Sequence, residues 1–496
     1  MKKFGHGYSI SKKWFSRNYL AHCTDTFGFM FPGLARKKQK IIKYSPSNRT
    51  LLEALGQEMG TKPNTNEIDI PAGYTYLGQF IDHDITLDPF SNIDRHQKPN
   101  EVEKLNNFRT PTLDLDSVYG NGPSVDPYLY VNNSGDSQED GIKLLLGTNT
   151  NKGPGGPRDG SGSHIVRTDF DVPRTSNQTA IIGDPRNNEN LFVSQIHHAF
   201  LKFHNKVVDR LKGTIPDEKL FETARKNVVN HYQWIVVHDF LKRILLPDEL
   251  KKALKKQRYF RRRPFSMPVE FSVAAYRFGH SLVREEYDFN DNFNSVNGVN
   301  NFMRAFQFIR VPHLPVESTW VVDLNRFFDT GNSPTLNKAM AFDTAMAPAL
   351  SSLPGAPPAS FMAHLAKRNL VRSMALNVPT GQAIAKRLRV GRLSDSQLLA
   401  NTTTIEKDTL EANNKFLLKN TPLWYYVLKE AEIQENGKNL GKVGSIIVAE
   451  TFTRILRDNP DSILCTGFKP DLPRISSKPS GDFDMADLLN FAEVLS

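Results

Sequence analysis

Apolar residues recur along much of this chain at three- and four-residue steps. The stretch "NLFVSQIHHAFLKFHNKVVDRL" places Leu191, Ile196, Ala199, Phe200, Phe203, Val207 and Leu211 mostly at that spacing, which predicts one long helix. Thr214 then offers an N-cap, with Asp217 three residues on in the place of the usual Glu. A second helix follows, with Leu220, Phe221, Ala224, Val228, Tyr232, Ile235 and Val236 on one stripe, ending near Pro247. Strand-like alternation is scarce. The fold class expected is mainly α, with few short strands. Residues 1–65 are basic, polar and weakly periodic, and read as an N-terminal arm on a single large helical domain spanning 66–496. Residues Asn149 to Gly162, "NTNKGPGGPRDGSG", read as a surface loop. No internal repeat is visible.

One segment breaks the apolar pattern. "YTYLGQFIDHDITLDP", Tyr74 to Pro89, sets Gln79, Asp82, His83 and Asp84 among Leu77, Phe80, Ile81 and Ile85. Burying such groups is costly unless each has a partner or a task. As a helix, the segment brings Gln79, Asp82 and His83 near one face and turns Asp84 away. The bland alternative is a core histidine satisfied by Asp82.

Other polar clusters follow in order. "RTPTLDLDSVYG" holds Thr110, Thr112, Asp114 and Asp116 at alternate positions. Alternate oxygen donors in an extended loop suit a hard cation such as Ca²⁺, although a polar turn looks the same. "IIGDPRNNENLF" has Pro185 suited to a helix start and Arg186, Glu189 and Asn190 at i, i+3 and i+4. An Arg–Glu pair at that spacing is most often an ordinary helix salt bridge. "AAYRFGHSLV" sets His280 after a glycine among apolar and aromatic residues, and "RNLVRSMALNVPTGQ" sets Asn369 and Arg372 at i, i+3. A non-haem metal site on His197, His198 and His204 is disfavoured, because His197 and His204 lie two turns apart on one helix face.

Composition narrows the classes. Of the 496 residues, 39% are hydrophobic and 23% charged, a globular balance. The 32 phenylalanines suit a large aromatic interior. A net charge of +10 admits an anionic partner. The basic run "LKKALKKQRYFRRRPF" (its cations within 251–263) is either a solvated helix face or a contact for an anionic surface. No nucleic-acid-binding signature accompanies it. Two cysteines, Cys23 and Cys465, build neither a disulfide framework nor a cysteine metal site. The N-terminus lacks an apolar h-region, and no run of 18 apolar residues occurs. The expectation is a soluble protein, cytoplasmic or exported without a cleavable signal peptide.

Taken together and in this order, these motifs resemble the animal-type haem peroxidase family of the peroxidase–cyclooxygenase superfamily. "GQFIDHDIT" resembles the distal-histidine helix and "YRFGHSL" the proximal-histidine segment, while "ARKNVVNHYQWIVVHDFL" and "GKVGSIIVAETF" resemble further family helices. The resemblance covers roughly residues 70 to 460. It implies a haem peroxidase that reduces hydrogen peroxide through a ferryl intermediate and oxidises a small donor: a halide, a phenol or another organic molecule. It implies His83 as distal base, with Gln79 in its pocket and Arg186 as distal arginine. His280 becomes the proximal iron ligand, Asn369 its hydrogen-bond partner, and Arg277 and Arg372 neighbours of the haem propionates. Asp82 and Glu189 match carboxylates that form ester links to haem, so the cofactor is haem b or ester-linked haem. Asp84, Thr110, Thr112, Asp114 and Asp116 match a calcium site.

Three departures bear on chemistry. Asn190 stands where some members have a methionine that forms a sulfonium bond, which excludes that linkage. Asp116 stands for a common serine, adding a carboxylate that favours Ca²⁺. Thr112 stands for a phenylalanine whose backbone oxygen serves as ligand. Superfamily oxygenases that use a tyrosyl radical carry that tyrosine three residues before the proximal histidine. Here that residue is Arg277, which favours a peroxidase over a fatty-acid dioxygenase. A catalytically idle haem- or surface-binding protein is the remaining alternative, and a complete His–Arg–His set argues against it.

Overall fold

The computed structural model describes residues 25–89, 91–132, 141–149, 169–260, 265–307, 314–331, 335–357, 360–476 and 481–495, with the backbone of two short strands, Lys2–Phe4 and Tyr8–Ile10. Most of residues 1–24, including Cys23, lie outside this set, as do the predicted loop beyond Asn149 and residues 261–264 of the basic run. The architecture is mainly α, as the apolar spacing predicts. Seven helices carry or support the site: α1 (Pro46–Met59), α2 (Gly73–Ile85), α3 (Leu191–Leu211), α4 (Leu220–Ile235), α5 (Leu365–Ala375), α6 (Leu423–Gln434) and α7 (Lys442–Asp458). Among the described residues sheet is confined to short pairs. One sets β1 (Glu67–Pro71) antiparallel to β2 (Lys338–Met340), and β1 delivers the chain into α2.

Local chemistry explains the helix ends. Ser45 caps α1, accepting from Asn48 N at 3.2 Å, with Pro46 at the first helical position. Asn190 caps α3, accepting from Val193 N at 3.0 Å. The predicted Thr214 cap does not form. Its hydroxyl donates to Leu211 O at 2.6 Å and so closes α3, while Pro216 intervenes and α4 starts through a single 3₁₀ turn, Asp217–Lys219. Beyond α4 the chain continues through a π turn, Val236–Phe240, and one more helical turn to Ile244, stopping short of Pro247.

An aromatic stack locks α2 to α3 and α4. Phe80 lies flat on Phe200 with centroids 4.9 Å apart, and Tyr232 meets both rings edge-on at 6.3 and 5.6 Å. Helices α1 and α5 approach closely at Gly56, where a Cβ would lie 2.8 Å from Lys367 N. Glu270, fully buried, accepts from the backbone of Met30 and Phe31 at 2.9 and 3.0 Å. It thereby fastens the N-terminal segment to the stretch that carries His280. The basic run begins as the helix Pro247–Lys255; Lys252 pairs with Glu249, and Arg258 reaches Glu249 and Glu450. Among the described residues no helix is long and apolar enough to cross a membrane.

Candidate functional site

A cavity of about 450 Å³ runs between α2, the turn before α3, the His280 segment and α5. Gln79, Asp82 and His83 reach it from α2, Arg186 and Asn190 from the turn, Arg277 and His280 from a 3₁₀ segment (Ala275–His280), and Arg368, Asn369 and Arg372 from α5. Helical spacing does the sorting on α2: the residues at i, i+3 and i+4 meet the cavity, and Asp84 points behind it.

His83 is buried and its Nδ1 lies 2.9 Å from Asn187 Oδ1. Asp82 is not its partner; that carboxylate accepts from Thr86 Oγ1 at 2.8 Å and lines the cavity. Burial pushes the His83 imidazole below its ordinary value, and the charge of Arg186 adds to this. The ring is therefore neutral at neutral pH, and Nε2 is the nitrogen left for the cavity, 3.8 Å from Glu189 Oε1. Gln79 donates to Glu189 through Nε2 and accepts from Asn190 Nδ2 at 3.2 Å.

Arg186 makes no helix pair with Glu189, since residues Pro185–Asn188 form a 3₁₀ turn rather than the start of an α-helix. Instead it meets Asp184 through Nε and Nη2, the latter at 2.8 Å, and donates to the carbonyl of His83 at 2.9 Å. Asp184 is shared with Arg109, whose Nε donates to it at 2.8 Å. Burial alone would raise the Asp184 carboxyl; Arg109 and Arg186 outweigh it and hold the group well below the usual carboxylate range.

At the other histidine, Asn369 Nδ2 lies 2.8 Å from His280 Nδ1, and Arg277 Nη1 donates to Asn369 Oδ1 at 2.7 Å. Arg372 donates to Ser91 Oγ at 2.9 Å and stands 3.5 Å from Asp88. Arg277 is lowered to about 10 by burial and by Arg372, and Arg368 to about 10 by the same two causes. Three guanidiniums crowded on one wall call for anions. A porphyrin carrying two carboxylates fits that wall.

Behind α2, Asp84, Asp114 and Asp116 bring carboxylate oxygens within 4.8 Å of one another. Asp84 accepts from Leu115 N and Ser117 Oγ, both at 3.3 Å, and Asp116 from Thr110 N at 3.1 Å. Among the described residues, Thr112 Oγ1, Asp114 Oδ1 and Asp116 Oδ1 are buried without a hydrogen-bond partner. Leu113 and Leu115 adopt φ of 54° and 59°, a conformation bulky residues rarely hold without a local constraint. Burial and mutual repulsion raise Asp84 well above its ordinary value; burial raises Asp114, and raises Asp116 to about 6. Converging oxygens that resist ionising together fit a hard divalent cation.

The residues predicted for the haem site thus meet one cavity or its edge, and of those predicted for calcium Thr110, Thr112, Asp114 and Asp116 share one loop that Asp84 faces from α2. His197, His198 and His204 do not gather: His204 bonds Tyr119 and the Ile142 carbonyl, His197 meets Asn187, and His198 packs on Phe170. Sequence reasoning missed Arg109, Asp184, Asn187 and Arg368. Asp184 carried a signal, an N-cap residue before proline. Asn187 and Arg368 carried none.

With this geometry in place, comparisons identify the class. The animal haem peroxidase family model matches residues 45–458, and the chain belongs to that family, which implies a haem cofactor. A peroxidase-like protein of Margaritifera margaritifera is 30% identical over 259 residues, 43% of this chain and 32% of that protein. Mouse myeloperoxidase is 31% identical over 107 residues, 21% of this chain and 15% of its own length. The matched part is thus under a third of each curated relative. Among solved structures, peroxidase A of Dictyostelium discoideum superposes with a TM-score of 0.58 at 17% identity, covering 89% of this chain and 88% of that one. The fatty acid alpha-dioxygenase of Oryza sativa with palmitic acid superposes with a TM-score of 0.53 at 16% identity, over 81% and 71%. Both show the shared fold.

The ion cluster makes a prediction. Asp184→Asn leaves two buried guanidiniums without their shared counter-charge and costs about 3–5 kcal/mol at pH 7. A carboxyl depressed in the folded state stabilises above its unfolded value, about 4, and loses that contribution as pH falls through its folded one. Urea unfolding should therefore show wild type and variant converging below about pH 4. A gap unchanged with pH would contradict the assignment.

Proposed function

We propose that the protein is a haem-dependent peroxidase that reduces hydrogen peroxide and oxidises a small donor. The observation that carries this reading is a neutral imidazole, His83, with Nδ1 engaged and Arg186 beside it, in one cavity with the His280–Asn369 pair. Haem, when bound, supplies the iron at which the peroxide O–O bond is cleaved and the oxidising power later passed to the donor. His83 takes a proton from the inner oxygen of peroxide at Nε2 and returns it to the outer one, which leaves as water. Arg186 stabilises the negative charge that builds on the departing oxygen, and Asp184 holds its guanidinium in place. Gln79 sits at the same wall, joined to Glu189 and Asn190.

His280 is the proposed iron ligand. Coordination through Nε2 would require the ring proton on Nδ1 and the amide oxygen of Asn369 facing it, a half-turn of that amide that gives up its present bond from Arg277 Nη1. Arg277 and Arg372, with Arg368 alongside, are the proposed partners of the propionates. Asp82 reaches the cavity, and Glu189 stands at the same wall; these are the proposed ester-forming carboxylates. Asp84, Thr110, Thr112, Asp114 and Asp116 are the proposed calcium ligands, and the cation pins the residue next to His83. The donor is proposed only by class: halide, phenol or other small organic molecule. Two residues speak against an oxygenase. Arg277 occupies the position three before His280, and the Tyr276 hydroxyl is spent on the Gly78 carbonyl at 3.2 Å.

The test is the absorption spectrum of haem-loaded protein before and after adding peroxide. A haem Soret band that shifts with peroxide and recovers with donor is expected. His83→Ala should slow the peroxide reaction by about 10²–10⁴-fold and Arg186→Ala by about 10²–10³-fold; undiminished rates in both would refute these roles. For the cation, the metal-free protein bears a cost as its raised carboxyls ionise, so these groups favour the folded state below about pH 4 and cease to as pH climbs through about 6. Calcium should raise Tm strongly at pH 7 and progressively less below pH 6. No calcium effect in calorimetry, or one equal at both pH values, would contradict the site.

A further inference from the structure

Behind His83 a second buried histidine completes a hydrogen-bonded row. Asn187 is wholly buried on the turn before α3; its Oδ1 lies 2.9 Å from His83 Nδ1 and its Nδ2 3.0 Å from His197 Nδ1. His197 sits in α3, fully buried, with the ring of Phe80 at 6.2 Å between centroids. Its Nε2 has no hydrogen-bond partner among the described residues, and it does not line the cavity. Nothing in the proposed peroxide chemistry uses it.

An amide has one accepting end and one donating end. With Nδ2 toward His197, the oxygen faces His83, and His83 must carry its proton on Nδ1. Its Nε2 then presents a lone pair to the cavity, as a proton acceptor must. Turned over, the same amide donates to His83 Nδ1 and forces the proton onto Nε2, where the ring takes up nothing further. Both arrangements keep two hydrogen bonds within the trio, so these bonds alone do not choose between them. The choice falls to the far end of the row. Burial, with His198 adding, pushes the His197 imidazole down to about 3, so it stays neutral with a single N–H. Aromatic surroundings such as the Phe80 ring tolerate an N–H better than a bare lone pair. That favours the proton on His197 Nε2 and leaves Nδ1 to accept from Asn187.

We propose that His197 is a positioning residue: it fixes the orientation of the Asn187 amide and thereby keeps the proton of His83 on Nδ1, leaving Nε2 free to accept. The consequence for rate rests on the peroxidase reading, but the tautomer is measurable without turnover. The experiment is nitrogen-15 NMR of histidine-labelled protein loaded with diamagnetic zinc porphyrin, the His83 signals being those lost in His83→Gln. Wild type is expected to show His83 protonated on Nδ1. His197→Phe, which removes the acceptor, should give a mixture or the Nε2-protonated form. His197→Asn, whose Oδ1 stands near the place of Nδ1, should restore the wild-type tautomer. In the haem-loaded protein, His197→Phe should slow the peroxide reaction by about tenfold or more, with most of the rate returned by His197→Asn. Wild-type His83 protonated on Nε2 would overturn the proposal whether or not the variants fold. So would an unchanged tautomer in His197→Phe, even with a slower reaction. A wild type inert to peroxide whose tautomer still switches in His197→Phe would refute the peroxidase reading and uphold the positioning role.

Discussion

The carboxylate of Asp184, buried between Arg109 and Arg186, is the interaction on which the rest of the site depends. It ties three stretches distant in sequence. Arg109 opens the loop of the acidic cluster and stands 3.4 Å from Asp116. Arg186 reaches the His83 carbonyl on α2. Asp184 itself fixes the turn that carries Asn187 and leads into α3. A buried ion pair is no guarantee of net stability. Its value here lies in geometry: one carboxylate holds both guanidiniums, so Arg186, the His83 carbonyl and the acidic loop are held in one register.

Charge is distributed around the cavity in a way that suits the proposed chemistry. The base is kept neutral by burial and by the neighbouring arginine. The positive wall of Arg277, Arg368 and Arg372 is crowded enough to depress two of its own members. The negative cluster of Asp84, Asp114 and Asp116 lies behind the helix, away from the cavity. One helix, α2, separates these fields because its two faces carry different residues.

Much of this is legible in the chain. The apolar spacing of residues 191–211 predicts α3 almost to its ends, and the i, i+3, i+4 placement of Gln79, Asp82 and His83 puts them on one face as observed. The alternation of Thr110, Thr112, Asp114 and Asp116 marks the loop that folds under Asp84. The failures have a common cause. Thr214 resembles a cap because its neighbours fit the pattern, yet Pro216 diverts the chain. Arg186 and Glu189 have the spacing of a helix pair, yet the turn is 3₁₀ and a closer carboxylate competes. Asn187, Arg368 and His197 gain their meaning from packing between elements far apart in sequence, and local spacing carries no trace of it.

The central proposal is that His280, not His83, would hold the iron. A crystal structure of the haem-loaded protein, with iron located by its anomalous scattering, tests it directly. The account predicts iron bonded to His280 Nε2, with the Asn369 oxygen against Nδ1 and His83 Nε2 across the porphyrin, unbonded to metal. Iron bonded to His83, or haem bound outside this cavity, would contradict it.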